Sequence, residues 1–290
     1  MDERTMLGVL AERLPHAGDD TAVIDGLVLT IDMLHDRTDF PDGTTRYTAG
    51  WRAVGASLSD VAAMGAEATA AVAVYGAPTF DEEEVLAFVD GACEVCGTTG
   101  AEYVGGDLDA HEEFTVATAA VGRADEPVLR SGADPGDAVC VTGTLGRSAA
   151  SLRLFERGEI ERANELFRFE PRVAAGRALA DHASAMMDSS DGLARSLHQL
   201  AEASGCGMAV ETPLPIDESV VAIAGDARDR LELGAYFGED FELVCTIPEP
   251  LLSEAKAESP TPLTRIGTVV EKGVTLDGDP MPDRGYTHEG

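Results

Sequence analysis

Carboxylates flanked by glycine or serine recur at five places in this chain, each where an apolar run stops or a helical pattern starts. They read Gly18-Asp19-Asp20, Thr30-Ile31-Asp32, Ser59-Asp60, Gly105-Gly106-Asp107 and Asp188-Ser189-Ser190-Asp191-Gly192. Such punctuation demands a chain of many short strands and helices, with acidic residues at element ends where they can converge. Several carboxylates of this kind are what a protein needs to hold hard cations around a polyphosphate, because Mg²⁺ prefers oxygen ligands and shares them with substrate phosphates. The pattern predicts a metal-dependent nucleotide enzyme.

The 290 residues are enough for two domains, and a 44% hydrophobic share argues for a folded chain. The net charge of −32 is extreme, and Lys256 and Lys272 are its only lysines. An acidic surface of that strength repels nucleic acid and anionic lipid, which excludes both as expected partners. The charge is spread along the chain, with Asp81-Glu82-Glu83-Glu84 as its densest run. It therefore predicts a solvated acidic surface on an ordinary fold rather than a disordered tail. A cytoplasm of very high salt would screen that self-repulsion, since the Debye length at ~1 M is only about 3 Å; a halophilic origin is the expectation. Five cysteines make no disulfide framework, and Cys93-Glu94-Val95-Cys96 lies in a helical pattern without a second pair, so buried thiols are expected. No stretch resembles a signal peptide or a membrane span, and a soluble, cytoplasmic protein is expected.

Ala22 to Asp32 reads as a hairpin about an Asp25-Gly26 turn, which brings Asp20 and Asp32 toward one edge. Trp51, Val54, Leu58 and Val61 recur at helical spacing, and 100° per residue turns Asp60 away from that stripe. Thr79 and Glu82 form a capping-box signature before a helix carrying Val85, Phe88, Ala92 and Val95, and the acidic run falls in its first turn. Tyr103-Val104 predicts a strand ending in a tight turn at Gly105-Gly106-Asp107, and Phe114 to Val121 predicts another strand. Gly, Pro and charge concentrate over residues 122–137, placing a domain boundary there, with domains at 1–126 and 127–290. Beyond it come a strand at 138–142, a turn at 143–146, a helix at 148–156, a helix carrying Leu193, Leu197 and Leu200, and a strand over 241–247. The fold class expected is α+β, without a doubly wound nucleotide-binding sheet.

A P-loop is absent, since Gly143 to Ser148 lacks its lysine, and so is the protein-kinase signature set. Any ATP phosphates must then be held by metal ions, glycine-turn amides and a few arginines. The motifs occur in a telling order: Gly18-Asp19-Asp20, Thr30-Ile31-Asp32, Leu58-Ser59-Asp60-Val61-Ala62-Ala63-Met64-Gly65-Ala66, Val104-Gly105-Gly106-Asp107, Arg130-Ser131-Gly132-Ala133-Asp134-Pro135-Gly136-Asp137, Val141-Thr142-Gly143-Thr144-Leu145-Gly146, Ser190-Asp191-Gly192-Leu193 and Gly238-Glu239-Asp240-Phe241-Glu242-Leu243. This succession resembles the thiamine-monophosphate kinase family from about residue 18 to the C-terminus.

The resemblance implies a two-domain fold shared with aminoimidazole ribonucleotide synthetase and selenophosphate synthetase, with the N-terminal halves pairing in a homodimer and ATP in a cleft. It implies transfer of the ATP γ-phosphoryl group to thiamine monophosphate, giving thiamine diphosphate and ADP. Matched motif by motif, Asp20, Thr30, Ile31 through its backbone carbonyl, Asp32, Asp60, Asp107, Asp188 and Asp191 would hold several Mg²⁺ ions. Gly106, Asp107, Arg130, Ser190 and Cys96 would contact ATP, and Asp39, Glu239, Asp240 and Tyr286 would line the acceptor side. The chain departs from the family pattern at Ile31, where a hydroxyl residue is usual, at Asp39, where a histidine is usual, and at Cys96, where an aromatic residue is usual. The acceptor of such a transfer is an already ionised phosphate, so no strong general base is needed and the opposing term is repulsion between anions. Other ATP-using members of the superfamily are the alternative: an amidine cyclase, a selenophosphate synthetase or a hydrogenase-maturation enzyme. The selenophosphate branch is expected to carry a reactive cysteine near its N-terminus, and the first cysteine here is Cys93. The maturation branch is expected to end in a cysteine tail, and this chain ends Thr287-His288-Glu289-Gly290. A non-enzymatic acidic cation-binding protein is a remoter alternative.

Overall fold

The computed structural model describes residues 6, 9, 10, 13, 14 and 16–285. The N-terminal sheet contains β1 (Ala22–Ile24), β2 (Leu27–His35), β3 (Glu67–Ala77), β4 (Glu102–Ala110) and β5 (Thr115–Arg123), in the order β1-β2-β5-β3-β4. All neighbours are antiparallel except β3 and β4. A single turn, α1 (Asp36–Asp39), follows β2, and two long helices, α2 (Arg46–Ala63) and α3 (Glu82–Thr99), lie between strands.

Helix α2 is central. Small residues let it pack on all sides, and Ala49, Ala53, Val54, Leu58, Val61, Ala62 and Ala63 are fully buried. Its contact with α3 is set by two glycines: a Cβ at Gly50 would lie 2.1 Å from the Phe88 carbonyl oxygen, and one at Gly91 2.0 Å from that of Tyr47. A side chain at either site would force the helices apart. The cap of α3 differs from the expected Thr79–Glu82 box. Asp81 caps it, its carboxylate accepting the Glu83 and Glu84 amides, because an ionised acceptor at the positive end of a helix outcompetes a hydroxyl two residues earlier.

The alternation of β2 is informative. Thr30 faces the helices, while Leu29, Ile31 and Met33 face outward, and Ile31 is 75% exposed. Ile31, Ala119 of β5 and Val72 of β3 stand in one row across the outer face. Gly105-Gly106-Asp107 is not a turn: it lies within β4, paired with β3 past a register shift at Ala71/Val72. A Cβ on Gly106 would come within 1.8 Å of the Ala73 carbonyl oxygen, so the glycine serves strand approach rather than reversal.

The C-terminal half carries a seven-stranded sheet built from β6 (Ala138–Thr142), β7 (Ala185–Asp188), β8 (Gly207–Val210), β9 (Leu243–Ile247), β10 (Leu263–Val270), β11 (Gly273–Leu276) and β12 (Asp279–Pro280), in the order β12-β11-β8-β10-β6-β9-β7. Its helices are α4 (Arg147–Glu156), α5 (Ile160–Phe167), α6 (Val173–Leu179), α7 (Leu193–Ser204), the short α8 (Glu218–Ile223) and α9 (Ala227–Leu231), and α10 (Leu252–Glu258). The chain is thus a two-domain α+β protein. Strand β9 begins two residues later than the pattern suggested, because Glu239 and Phe241 hold positive φ values of 62° and 54° and keep the preceding loop out of the sheet. No helix among the described residues is long and apolar enough to cross a membrane.

Candidate active site

Three elements remote in sequence bring carboxylates together where the domains meet. Asp20 precedes β1, Asp60 sits on α2 and Asp188 ends β7, and ligand oxygens of all three lie within 4.8 Å of one another. Asp20 and Asp188 are buried and Asp60 is half-buried. Each is fixed by a neighbour: the Thr30 hydroxyl donates to Asp60 Oδ2 at 2.5 Å, Ser59 Oγ to Asp188 Oδ2 at 2.7 Å, and the Ser190 amide to Asp188 Oδ1 at 3.2 Å. Arg130 grips Asp20 with both arms, Nε to Oδ2 at 3.0 Å and Nη2 to Oδ1 at 2.8 Å. Its own amide is held by the Asp19 carboxylate at 3.1 Å.

Electrostatics follow from this crowding. Burial first, then the charges of Asp32, Asp188 and Asp20, push the Asp60 carboxyl well above the usual range. Burial and the Asp20 charge push Asp188 up to about 7, and the same two causes raise Asp19 to about 6. Carboxyls that resist ionisation because their neighbours are anions form a site short of positive charge. The donor set is entirely oxygen, so these residues fit a hard divalent cation. Among the described residues this is the one such group of three.

The other residues assigned from the sequence fall outside this group of three. Asp32 accepts Ser57 Oγ at 2.6 Å on the inner face of β2. Ile31 points its side chain to the outer face, within the paired stretch of β2 and β5. Gly106 and Asp107 are exposed on the edge strand β4, where Asp107 Oδ1 accepts the Leu108 amide. Ser190 and Asp191 lie in the loop after Asp188, and the Ser190 carbonyl accepts the Glu239 amide at 2.6 Å. Asp39 is buried, with Oδ2 taken by the His35 amide and the Thr38 hydroxyl. Asp240 is also buried, and accepts the Gly146 and Ser148 amides at the start of α4. Burial raises its carboxyl to about 7 against the pull of those amides. Its geometry is that of a helix cap, which leaves Glu239 as the partly exposed carboxylate of the pair. Cys96 has no exposed surface, sits in the N-terminal core and has its thiol pushed up to about 12 by burial, so it offers a nucleotide nothing. Its partner Cys93 is exposed, against the expectation that both thiols are buried. Tyr286 lies outside the described residues.

Sequence reasoning gave no role to Asp19, Ser57 or Ser59, although Asp19 and Ser59 were inside motifs it quoted. It also passed over Arg52, a cation that lies buried in α2.

The fold and the carboxylate cluster define a two-domain protein of the AIR synthase related class: residues 18–124 match the AIR synthase related protein N-terminal domain, and residues 134–278 the C-terminal domain. The chain is 60% identical to the thiamine-monophosphate kinase of Halobacterium salinarum, over 99% of this chain and 100% of that one. It is 42% identical to the thiamine-monophosphate kinase of Methanospirillum hungatei, with 99% of each covered. A solved structure described as AaThiL complexed with AMPPCP and TMP superposes with a TM-score of 0.89 at 28% identity, covering 99% of this chain and 97% of that one. The chain belongs to the thiamine-monophosphate kinase family.

Proposed function

We propose that this protein transfers the γ-phosphoryl group of ATP to thiamine monophosphate, yielding thiamine diphosphate and ADP. The observation that carries the reading is the convergence of Asp20, Asp60 and Asp188, in a chain that follows a thiamine-monophosphate kinase over its whole length. Two anions must meet for the transfer, and Mg²⁺ held here would neutralise their charge and align them. Asp20, Asp60 and Asp188 form the centre of the metal set, with Thr30, the Ile31 carbonyl, Asp32, Asp107 and Asp191 as its further members. Arg130, Gly106 and Ser190 serve the nucleotide, and Glu239 and Tyr286 the acceptor. Arg130 holds the Asp20 carboxylate while presenting a delocalised cation at the cluster, which suits it to a phosphate. No residue has to act as a strong base, because the acceptor oxygen is already ionised near neutral pH.

The protein works in the cytoplasm as a homodimer joined through the outer face of the N-terminal sheet. Leu29, Ile31, Met33, Val72 and Val74 leave that face apolar and exposed. A contiguous apolar sheet face of this kind is covered in a stable assembly. The test of the reaction is incubation with ATP, Mg²⁺ and thiamine monophosphate in molar KCl, followed by separation of the products. Thiamine diphosphate formed one-for-one with ADP is expected; a folded protein that forms none refutes the reading.

A further inference from the structure

One stripe of α2 faces the C-terminal domain rather than its own sheet. Arg52, Gly55, Ala56 and Ser59 fall on it at helical spacing. Ser59 holds Asp188, Ala56 packs with Phe169 and Phe241, and a Cβ at Gly55 would lie 3.0 Å from the Phe169 ring. Trp51 Nε1, beside the stripe, donates to the Phe169 carbonyl. Arg52 is the stripe's one charged member and is 3% exposed.

The Arg52 guanidinium reaches across to the other domain. Nη1 donates to the Phe167 carbonyl at 2.5 Å and to Ser148 Oγ at 3.3 Å, and Nη2 to Glu239 Oε2 at 2.7 Å. The group lies over the Phe167 ring, 3.6 Å from its centroid, with the stacked rings of Phe169 and Phe241 beyond. Glu239 is held from three sides: Arg52 takes its carboxylate, Ser190 takes its amide, and Ser148 donates to its carbonyl at 2.5 Å. Its left-handed backbone is one a glutamate adopts only when surroundings impose it. A buried cation with this many directed contacts is costly to place, and a packing role alone would be met by leucine or methionine. Its geometry instead fixes where one carboxylate stands.

We infer that Arg52 is a positioning residue for the acceptor. Reaching from the helix that carries Asp60, it sets the Glu239 carboxylate at the acceptor side of the metal cluster, so that metal site and acceptor site keep one relative placement. The inference rests on the reading of Glu239 as an acceptor contact. It also explains why the acceptor loop belongs to one domain while the cation that orients it belongs to the other.

The test is steady-state kinetics of the full-length protein in molar KCl, varying thiamine monophosphate and ATP separately, for wild type, Arg52→Met, Arg52→Lys, Glu239→Gln and Arg52→Met/Glu239→Gln. Losing a charge-assisted hydrogen bond of this kind predicts a rise in acceptor KM of about tenfold or more in Arg52→Met. The KM for ATP and kcat should stay within about threefold. Arg52→Lys, which keeps the charge but not the fork, should recover part of the loss. In the double variant the acceptor KM should rise no further than in the worse single variant, because the two residues act as one unit. Equal rises in both KM values, a fall in kcat alone, or additive effects of the two substitutions would overturn the inference while leaving the kinase reading intact. If Arg52→Met does not fold, the split between the two KM values in Arg52→Lys decides. A wild type that forms no thiamine diphosphate would remove the kinase reading and this inference with it.

Discussion

Lowering the pH should weaken cation binding to this protein, by an amount fixed by the carboxylate cluster. Asp188 has its carboxyl raised to about 7 and Asp60 has its own raised well above the usual range, in each case by burial and then by neighbouring anions. A divalent cation needs both ionised, so binding must expel the protons they hold. Between pH 8 and pH 6 the ionised fraction of a group titrating near 7 falls about tenfold, or about 1.4 kcal/mol of cation affinity from Asp188 alone. Asp60, raised in the same direction by burial and neighbouring anions, adds to that loss. Titration calorimetry with Mg²⁺ alone, in molar KCl and in two buffers of different ionisation heat, reads both quantities. Affinity should rise with pH over this range, and the heat should depend on the buffer in proportion to the protons released. An affinity flat from pH 6 to pH 8, with no buffer dependence, would refute the reasoning that these carboxyls are crowded into holding protons.

Further outcomes follow from the same structure. Without metal, Asp188 and Asp240 have folded-state values raised to about 7 from an ordinary value of 3.8, so the folded state binds more protons between those limits. Their contribution to stability is therefore present at the acid end of that window and lost as pH rises through about 7; thermal melts with a chelator present should show it, and added Mg²⁺ should reduce it. Asp60→Asn should abolish detectable Mg²⁺ binding and cost orders of magnitude in rate, while leaving the metal-free melting temperature unchanged or higher, since it removes a buried repulsion. Gly50→Ala should destabilise the fold by about 2–4 kcal/mol in chemical denaturation, because its methyl would fall on the Phe88 carbonyl. If the proposed dimer forms through the outer sheet face, Ile31→Glu, which places a charge at its most exposed large apolar side chain, should shift sedimentation to the monomer.

What was legible in the sequence had a period or a punctuation mark behind it. The phase of Val54, Leu58 and Val61 was enough to turn Asp60 out of its own core, and the Asp25-Gly26 turn was enough to build the hairpin. Glycine misled where its reason was not reversal: Gly105-Gly106 reads as a turn, yet it lies in an edge strand pressed against Ala73. The role of Asp240 was hidden because it caps a helix that begins some ninety residues earlier in the chain, a pairing no local pattern encodes. Arg52 was hidden for the same reason, since its contacts at Ser148, Phe167 and Glu239 are all long-range. Cys96 reads by its helical spacing as a buried thiol and by family resemblance as an ATP contact; the structure places it in the core, with no surface for a nucleotide.

The most direct measurement follows the transferred atom. ATP carrying an isotopic label in its γ-phosphate is incubated with the protein, Mg²⁺ and thiamine monophosphate in molar KCl, and the label is located in the products. The account predicts label in the terminal phosphate of thiamine diphosphate, at one equivalent per ADP. Label released as inorganic phosphate, or retained in ATP by a folded protein that binds Mg²⁺ and nucleotide, would contradict it.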